Sequence, residues 1–269
     1  PYNHRRQRQM CIRDSVRASG LNILIKENSN APTSLACVSL GADGQPEYQF
    51  YRTGTADRDI TIEKLTAALP DNVTLFNTGS LALTDETDAA IWVSVAQTLA
   101  DRGTLISIDP NVRPLFVSDW TTFKARIGGL LDLATIVKIS DEDLESLDMP
   151  LDPGEAGSLL LNTHNCALAV VTYGADGAVV MNKHNSVRVP VYTPTIFGDT
   201  VGAGDTFMGG LLSDLHKRDT LSVEKLDALT ADELEAIGQF AAVAAGLNCA
   251  QKGCVPPTRD EVLNTLNSQ

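Results

Sequence analysis

Gly202-Ala203-Gly204-Asp205 is the segment of this chain best equipped for chemistry. Three small residues stand directly before an acid, and the pattern that follows from Thr206 is helical and apolar. A helix starting near Gly202 leaves the amides of Gly202, Ala203 and Gly204 free to point into one cavity, and residues without bulk let an anion approach the backbone. Those amides and the helix dipole would stabilise negative charge spreading over a phosphoryl group in transfer. Asp205, in the first turn, would face an acceptor hydroxyl and take its proton. Taken alone, a Gly-rich helix start whose acid merely complements the dipole fits the same pattern.

The elements around this segment read as alternating strands and helices from Val73 onward. Strands are predicted at Val73–Phe76, Thr104–Ile108, Ile136–Ile139 and Ala167–Thr172. A helix begins at Thr84-Asp85-Glu86 and runs to Ala100, another spans roughly Trp120–Leu133, and Ser140 caps a third. Gly177–Met181 and Val187–Val191 read as strands joined by a polar turn, and Ala-rich Leu234–Ala250 as a buried helix. Ala167–Thr172 is almost wholly apolar, as expected of a strand covered on both faces. Ahead of this alternation, Ser34–Leu40 and Pro46–Tyr51 flank Ala42-Asp43-Gly44 and predict a hairpin. The simplest architecture is one α/β domain with a mainly parallel sheet and a small β lid.

The 269 residues are 43% hydrophobic, enough for one large core or two modest ones. A net charge of −13 argues against nucleic acid or an anionic membrane as partner, and requires that any phosphate site be built locally. Residues 1–15 carry four arginines against one acid, a composition break that predicts a foreign or disordered segment rather than a secretory signal. The five cysteines form no CxxC pair, which suits reduced thiols in a cytoplasmic protein. No GxGxxG stretch is present, which counts against a dinucleotide oxidoreductase.

Gly198–Leu212 (GDTVGAGDTFMGGLL) resembles the second signature of the PfkB family of sugar kinases, whose pattern is DTxGAGD. Other segments resemble the family in the same order. Asp109–Pro114 is similar to DPNxRP, and Arg113 could meet the travelling phosphate or an acidic sugar group. Lys138–Asp143 resembles KxNxxE, with Ser140 and Asp143 in place of Asn and Glu. Val171–Ala178 resembles VTxGxxGA, and Phe240–Gly246 with Gly253–Pro256 matches the adenine pocket and monovalent-cation loop by position. Phe50–Arg58 (FYRTGTADR) and Asn77–Ala82 look like stretches of bacterial fructokinase-like members.

The resemblance implies a ribokinase-like three-layer sandwich and ATP-dependent phosphorylation of a small sugar, fructose first. It implies Asp205 as catalytic base with Gly202, Ala203 and Gly204 as anion hole. Thr172, Gly174, Gly177, Ala242 and Ala245 would bind ATP. Tyr51, Arg52, Arg113 and Asp205 would bind the sugar, and Asp143 would organise Mg²⁺. K⁺ is a candidate second cation, and a homodimer through the lid a candidate assembly. The match lacks the family's opening strand with its sugar-holding Asp and its Gly-Gly-x-x-x-Asn motif. The expectation is therefore a kinase domain over 16–269, incomplete at its N-terminus, with its lid at about 33–60. The alternatives are a 2-keto-3-deoxygluconate kinase and an inactive nucleotide-binding remnant.

Overall fold

The computed structural model describes residues 16–25, 29–40 and 46–268. The expected foreign segment 1–15 and the turn Ala42-Asp43-Gly44 lie outside the described residues. The chain divides into two compact units, Pro1–Asn72 and Val73–Gln269.

In the first unit, β1 (Leu35–Leu40) and β2 (Pro46–Tyr51) pair antiparallel, Leu35 opposite Tyr51 and Leu40 opposite Pro46, as the hairpin signal predicts. Helix α1 (Ile62–Ala68) follows, capped by the Thr61 side chain, which accepts from Lys64 N. Between them Arg52 Nε donates to Asp57 Oδ2 at 3.0 Å.

The second unit holds a six-stranded sheet in chain order: β3 (Leu75–Gly79), β4 (Leu105–Asp109), β5 (Ile136–Ser140), β6 (Leu168–Thr172), β7 (Ala178–Met181) and β8 (Ser186–Val189). Strands β3 to β6 run parallel, and β7 and β8 are antiparallel additions at one edge. Helices α2 (Glu86–Ala100), α3 (Trp120–Leu133), α4 (Asp141–Ser146) and α5 (Pro153–Thr163) link the parallel strands. The rest is helical: α6 (Ala203–Lys217), α7 (Val223–Asp227), α8 (Ala231–Cys249) and α9 (Arg259–Leu266). Side-chain oxygens of Asp85, Asp119, Ser140, Asp152, Thr230 and Thr258 cap helix starts and satisfy amides that the helices leave open.

Alternation along the strands sends successive side chains to opposite faces. Leu168, Val170 and Val180 face a core with Phe207, Met208 and Leu211 of α6 and with Leu234, Ile237 and Ala241 of α8. Ala169 and Met181 pair across β6 and β7 on the opposite face, where α5 comes so close that a Cβ on Gly157 would touch Met181 Sδ at 2.3 Å. Helices therefore cover both faces, giving three layers.

Two strands differ from expectation by two residues or more at an end, and the others by at most one. β3 begins at Leu75 rather than Val73 and runs on through Asn77, Thr78 and Gly79, because parallel pairing with Leu105–Asp109 carries those polar residues into the sheet. β8 ends at Val189, since Pro190 has no N–H to continue the ladder.

Asn182 fixes the edge hairpin. Its buried amide donates to the carbonyls of Leu226 and Leu229, and its oxygen accepts from His184 N and Asn185 N. Asn182→Ala strips partners from several buried groups and is expected to cost about 1–3 kcal/mol. The measurement is a lowered urea midpoint at constant slope; an unchanged midpoint would show that water replaces the amide without loss.

Candidate active site

The carboxyl ends of the parallel strands bring Asn77-Thr78-Gly79, Asp109, Ser140 and Thr172 to one edge of the sheet. Open α/β sheets take their ligands at this edge. Helix α6 points its N-terminus at the same place: Asn111 Nδ2 stands 3.5 Å from Asp205 Oδ1, and a Cβ on Gly204 would lie 3.4 Å from Lys138 Nζ.

The ends of β3 and β4 are fastened together. Ser80 N donates to Pro110 O at 2.9 Å, and a Cβ on Gly79 would fall 1.7 Å from the Asp109 carbonyl oxygen, so only glycine allows this approach. Ser80 and Asn111, just past the two strands, have φ of 53° and 42°. Left-handed backbone at non-glycine residues is strained and tends to persist where a site needs it. Asn77, Gly79, Ser80, Asp109, Asn111 and Asp205 line a cavity of about 410 Å³. A second hollow of about 300 Å³, walled by Phe240, Ala244, Pro256 and Arg259, also reaches Asp205.

Charge is concentrated under this cavity. Lys138 Nζ donates to Asp109 Oδ2 at 2.8 Å, with the two side chains only 5% and 9% exposed. Burial pushes the Asp109 carboxyl above its ordinary value; Lys138 pulls it back, and the Asp143 and Asp205 carboxylates push it the same way as burial. Asp109 Oδ1 is buried without a hydrogen-bond partner. Asp143 is buried too, and its oxygens accept from Val112 N at 2.6 Å and Ser140 N at 3.2 Å. Backbone amides thus engage the carboxylate expected to organise Mg²⁺. Among the described residues no group of three or more His, Cys, Asp or Glu side chains could hold a metal ion.

The phosphate cradle is built differently from expectation in one respect. Gly202 is the N-cap, with φ of 76°, and the helix proper starts at Ala203. Ala203 N already donates to Thr200 O at 3.1 Å, so its amide is spent on the turn rather than offered to an anion. First-turn geometry leaves the N–H groups of Gly204 and Asp205 without helical acceptors.

Two side chains hold the cradle's turn. Asp199 accepts from Val201 N at 2.9 Å and Gly253 N at 2.8 Å, which keeps its carboxyl below the ordinary range. Fully buried Asn248 donates to Val201 O and accepts from Val255 N, each at 2.8 Å.

The other expected site residues are scattered. Thr172 ends β6, and Gly174 and Gly177 (φ 50° and 87°) form the tight turn into β7. Ala242 is buried in the hydrophobic core and Ala245 packs against it, while their neighbour Ala244 lines a hollow. The exposed Arg113 donates to the carbonyl of Val112. Tyr51 and Arg52 belong to the first unit, Tyr51 exposed and Arg52 paired with Asp57. Sequence reasoning gave no role to Asp109, Lys138, Asn248 or Asp199. A lysine within the apolar run Ile136–Ile139 and an asparagine in an Ala-rich helix were the available signals, since such residues are seldom buried without a partner.

These features agree with the comparisons. The model of the pfkB family of carbohydrate kinases matches residues 10–261, and the chain belongs to that family. Fructokinase-2 of Solanum habrochaites is 31% identical over 258 residues, covering 94% of this chain and 74% of that protein. The fructokinase of Rhizobium leguminosarum bv. trifolii is 34% identical over 227 residues, 82% of this chain and 66% of that one. The crystal structure of the ATP-bound fructokinase of Xylella fastidiosa superposes with a TM-score of 0.80 at 24% identity, covering 95% of this chain and 80% of its own. That likeness shows the shared α/β fold with its mainly parallel sheet.

Two predictions follow from the cradle's fastenings. Asn248→Ala orphans Val201 O and Val255 N and is expected to cost about 1–3 kcal/mol of stability, read by urea unfolding. Asp199, whose carboxyl is depressed in the folded chain, contributes stability that is present above the ordinary carboxylate range and lost as pH falls through its lowered value. Melting temperatures between about pH 5 and pH 3 should therefore fall more steeply for the parent than for Asp199→Asn; parallel curves would contradict the assignment.

Proposed function

We propose that this chain phosphorylates a sugar hydroxyl at the expense of ATP, with fructose as the acceptor. The observation that carries the reading is the place of Asp205: in the first turn of α6, on the wall of the polar cavity, beside Asn111. Its carboxylate takes the proton of the acceptor hydroxyl as that oxygen attacks the γ-phosphorus and ADP departs. The Gly204 and Asp205 amides, with the α6 dipole, receive the charge that builds on the phosphoryl oxygens, while Gly202 and Ala203 shape the turn that aims them.

Likeness to plant and bacterial fructokinases over most of the chain supports fructose over 2-keto-3-deoxygluconate and over an inactive remnant. We assign Thr172, Gly174 and Gly177 to the nucleotide side, and Arg113, Tyr51 and Arg52 to the sugar side, with residues 16–269 as the kinase domain and 33–60 as its lid. Both Asp143 oxygens are engaged by backbone amides, so Mg²⁺ is expected to be held chiefly by nucleotide oxygens and water. K⁺ at the Gly253–Pro256 loop, a homodimer through the lid and a cytoplasmic location complete the proposal. Among the described residues no helix is long and apolar enough to cross a membrane.

The test is ADP release with Mg-ATP against fructose, ribose, glucose and 2-keto-3-deoxygluconate. Turnover on fructose that falls on the order of 10²–10⁴-fold in Asp205→Ala is the expected result. Turnover on another sugar would correct the acceptor, and turnover untouched by the substitution would remove Asp205 from the chemistry.

A further inference from the structure

The cavity beside Asp205 has two unlike walls. Asn77, Ser80, Asn111 and Asp205 make one of them polar. The other is apolar: Trp92 of α2 stands there with Met208 and Leu212 of α6. Met208 is buried and Leu212 packs against the hydrophobic core, so the fold already uses both. Trp92 is only half-buried, although its indole stacks on Phe76 with ring centroids 6.4 Å apart and planes inclined at 24°. Phe76 and Asn77 point to opposite faces of β3, and β3 is the end strand of its sheet. An indole stacked on Phe76 yet lining the same cavity as Asn77 therefore meets that cavity at the outer side of the sheet. Packing takes the side of the ring turned to Phe76 and leaves the rest open to an occupant of the cavity.

Polar groups on one wall and an aromatic ring on the other suit a sugar. Its hydroxyls need hydrogen-bond partners, and its ring carbons carry C–H groups that shed water against an apolar surface. An indole supplies that surface at low conformational cost, having only two side-chain torsions. We propose that Trp92 is a sugar-binding residue: the acceptor lies with the C–H face of its ring against the indole and its hydroxyls toward Asn77, Asn111 and Asp205. The inference rests on the kinase reading and adds to it a class of acceptor, a cyclic sugar with a contiguous C–H face. The indole touches the sugar ring and not the phosphate in transfer. Its contribution is the same before and during transfer, so it acts on KM for the sugar rather than on kcat.

The chain has two tryptophans, Trp92 and Trp120. Trp120 opens α3 and packs edge-on against Phe123, and it does not line the cavity. Trp120→Phe thus leaves Trp92 as the sole indole of an active enzyme. Its emission is followed as fructose is added with ADP present, which reads contact without turnover. Steady-state kinetics are measured on Trp92→Leu and Trp92→Phe, each checked by urea unfolding; the fluorescence titration needs neither variant and decides the matter if Trp92→Leu does not fold. The expected result is an emission change that saturates over the same range of fructose concentration as turnover. KM for fructose rises about 10-fold in Trp92→Leu and by less in Trp92→Phe, with kcat and KM for ATP within about 2-fold of the parent. A lone indole whose emission does not move at saturating fructose, or a folded Trp92→Leu with an unchanged KM for fructose, would overturn the proposal. Parent turnover that is lost in Asp205→Ala would leave the kinase reading intact in either case. A parent that turns over no sugar would overturn that reading, and this proposal with it.

Discussion

Crowded negative charge is the constraint on which the site depends. A chain of net charge −13 gathers Asp109, Asp143 and Asp205 at one end of its sheet, where the proposed reaction must also hold a polyanionic nucleotide. Each carboxylate is balanced by a different device. Asp109 has the Lys138 ammonium, Asp143 has two backbone amides, and Asp205 sits in the first turn of α6, where the dipole favours an acid. Of these three carboxylates, Asp205 is the exposed one on the cavity wall.

Precision at such a site comes from what cannot move. The β3 and β4 ends are locked by the Ser80–Pro110 hydrogen bond and by the glycine contact at residue 79. The turn before α6 is held at two points, by Asp199 through Gly253 and Val201 and by Asn248 through Val201 and Val255. Cys254 belongs to the same frame: its Sγ would meet a Cβ on Gly202 at 2.5 Å, which together with a positive φ makes glycine the residue for that N-cap. The C-terminal end of α8 is in this way as much a part of the cradle as the first turn of α6.

Much of this was legible in the sequence because local chemistry and tertiary structure agree. The helix at Trp120–Leu133 and the hairpin partner Pro46–Tyr51 fall where periodicity and turn residues put them. Helices α5 and α9 carried readable starts, Asp152-Pro153 and the Thr258–Glu261 capping box, but their short apolar patterns did not stand out. What was not legible is long-range. Nothing near Lys138 in sequence announces a partner 29 residues away, and nothing near Asn248 announces Val201, 47 residues away. Around Ala242 and Ala245 composition is equally silent: in an Ala-rich helix the wall of a pocket and the wall of a core look alike, and only packing against α6 and the sheet separates them.

The most direct test of the account is a crystal structure with a non-hydrolysable ATP analogue and fructose. The account predicts the terminal phosphate within hydrogen-bonding distance of the Gly204 and Asp205 amides, and a fructose hydroxyl in the cavity between that phosphate and the Asp205 carboxylate. A nucleotide bound with its terminal phosphate away from the first turn of α6, or a sugar out of reach of Asp205, would contradict it.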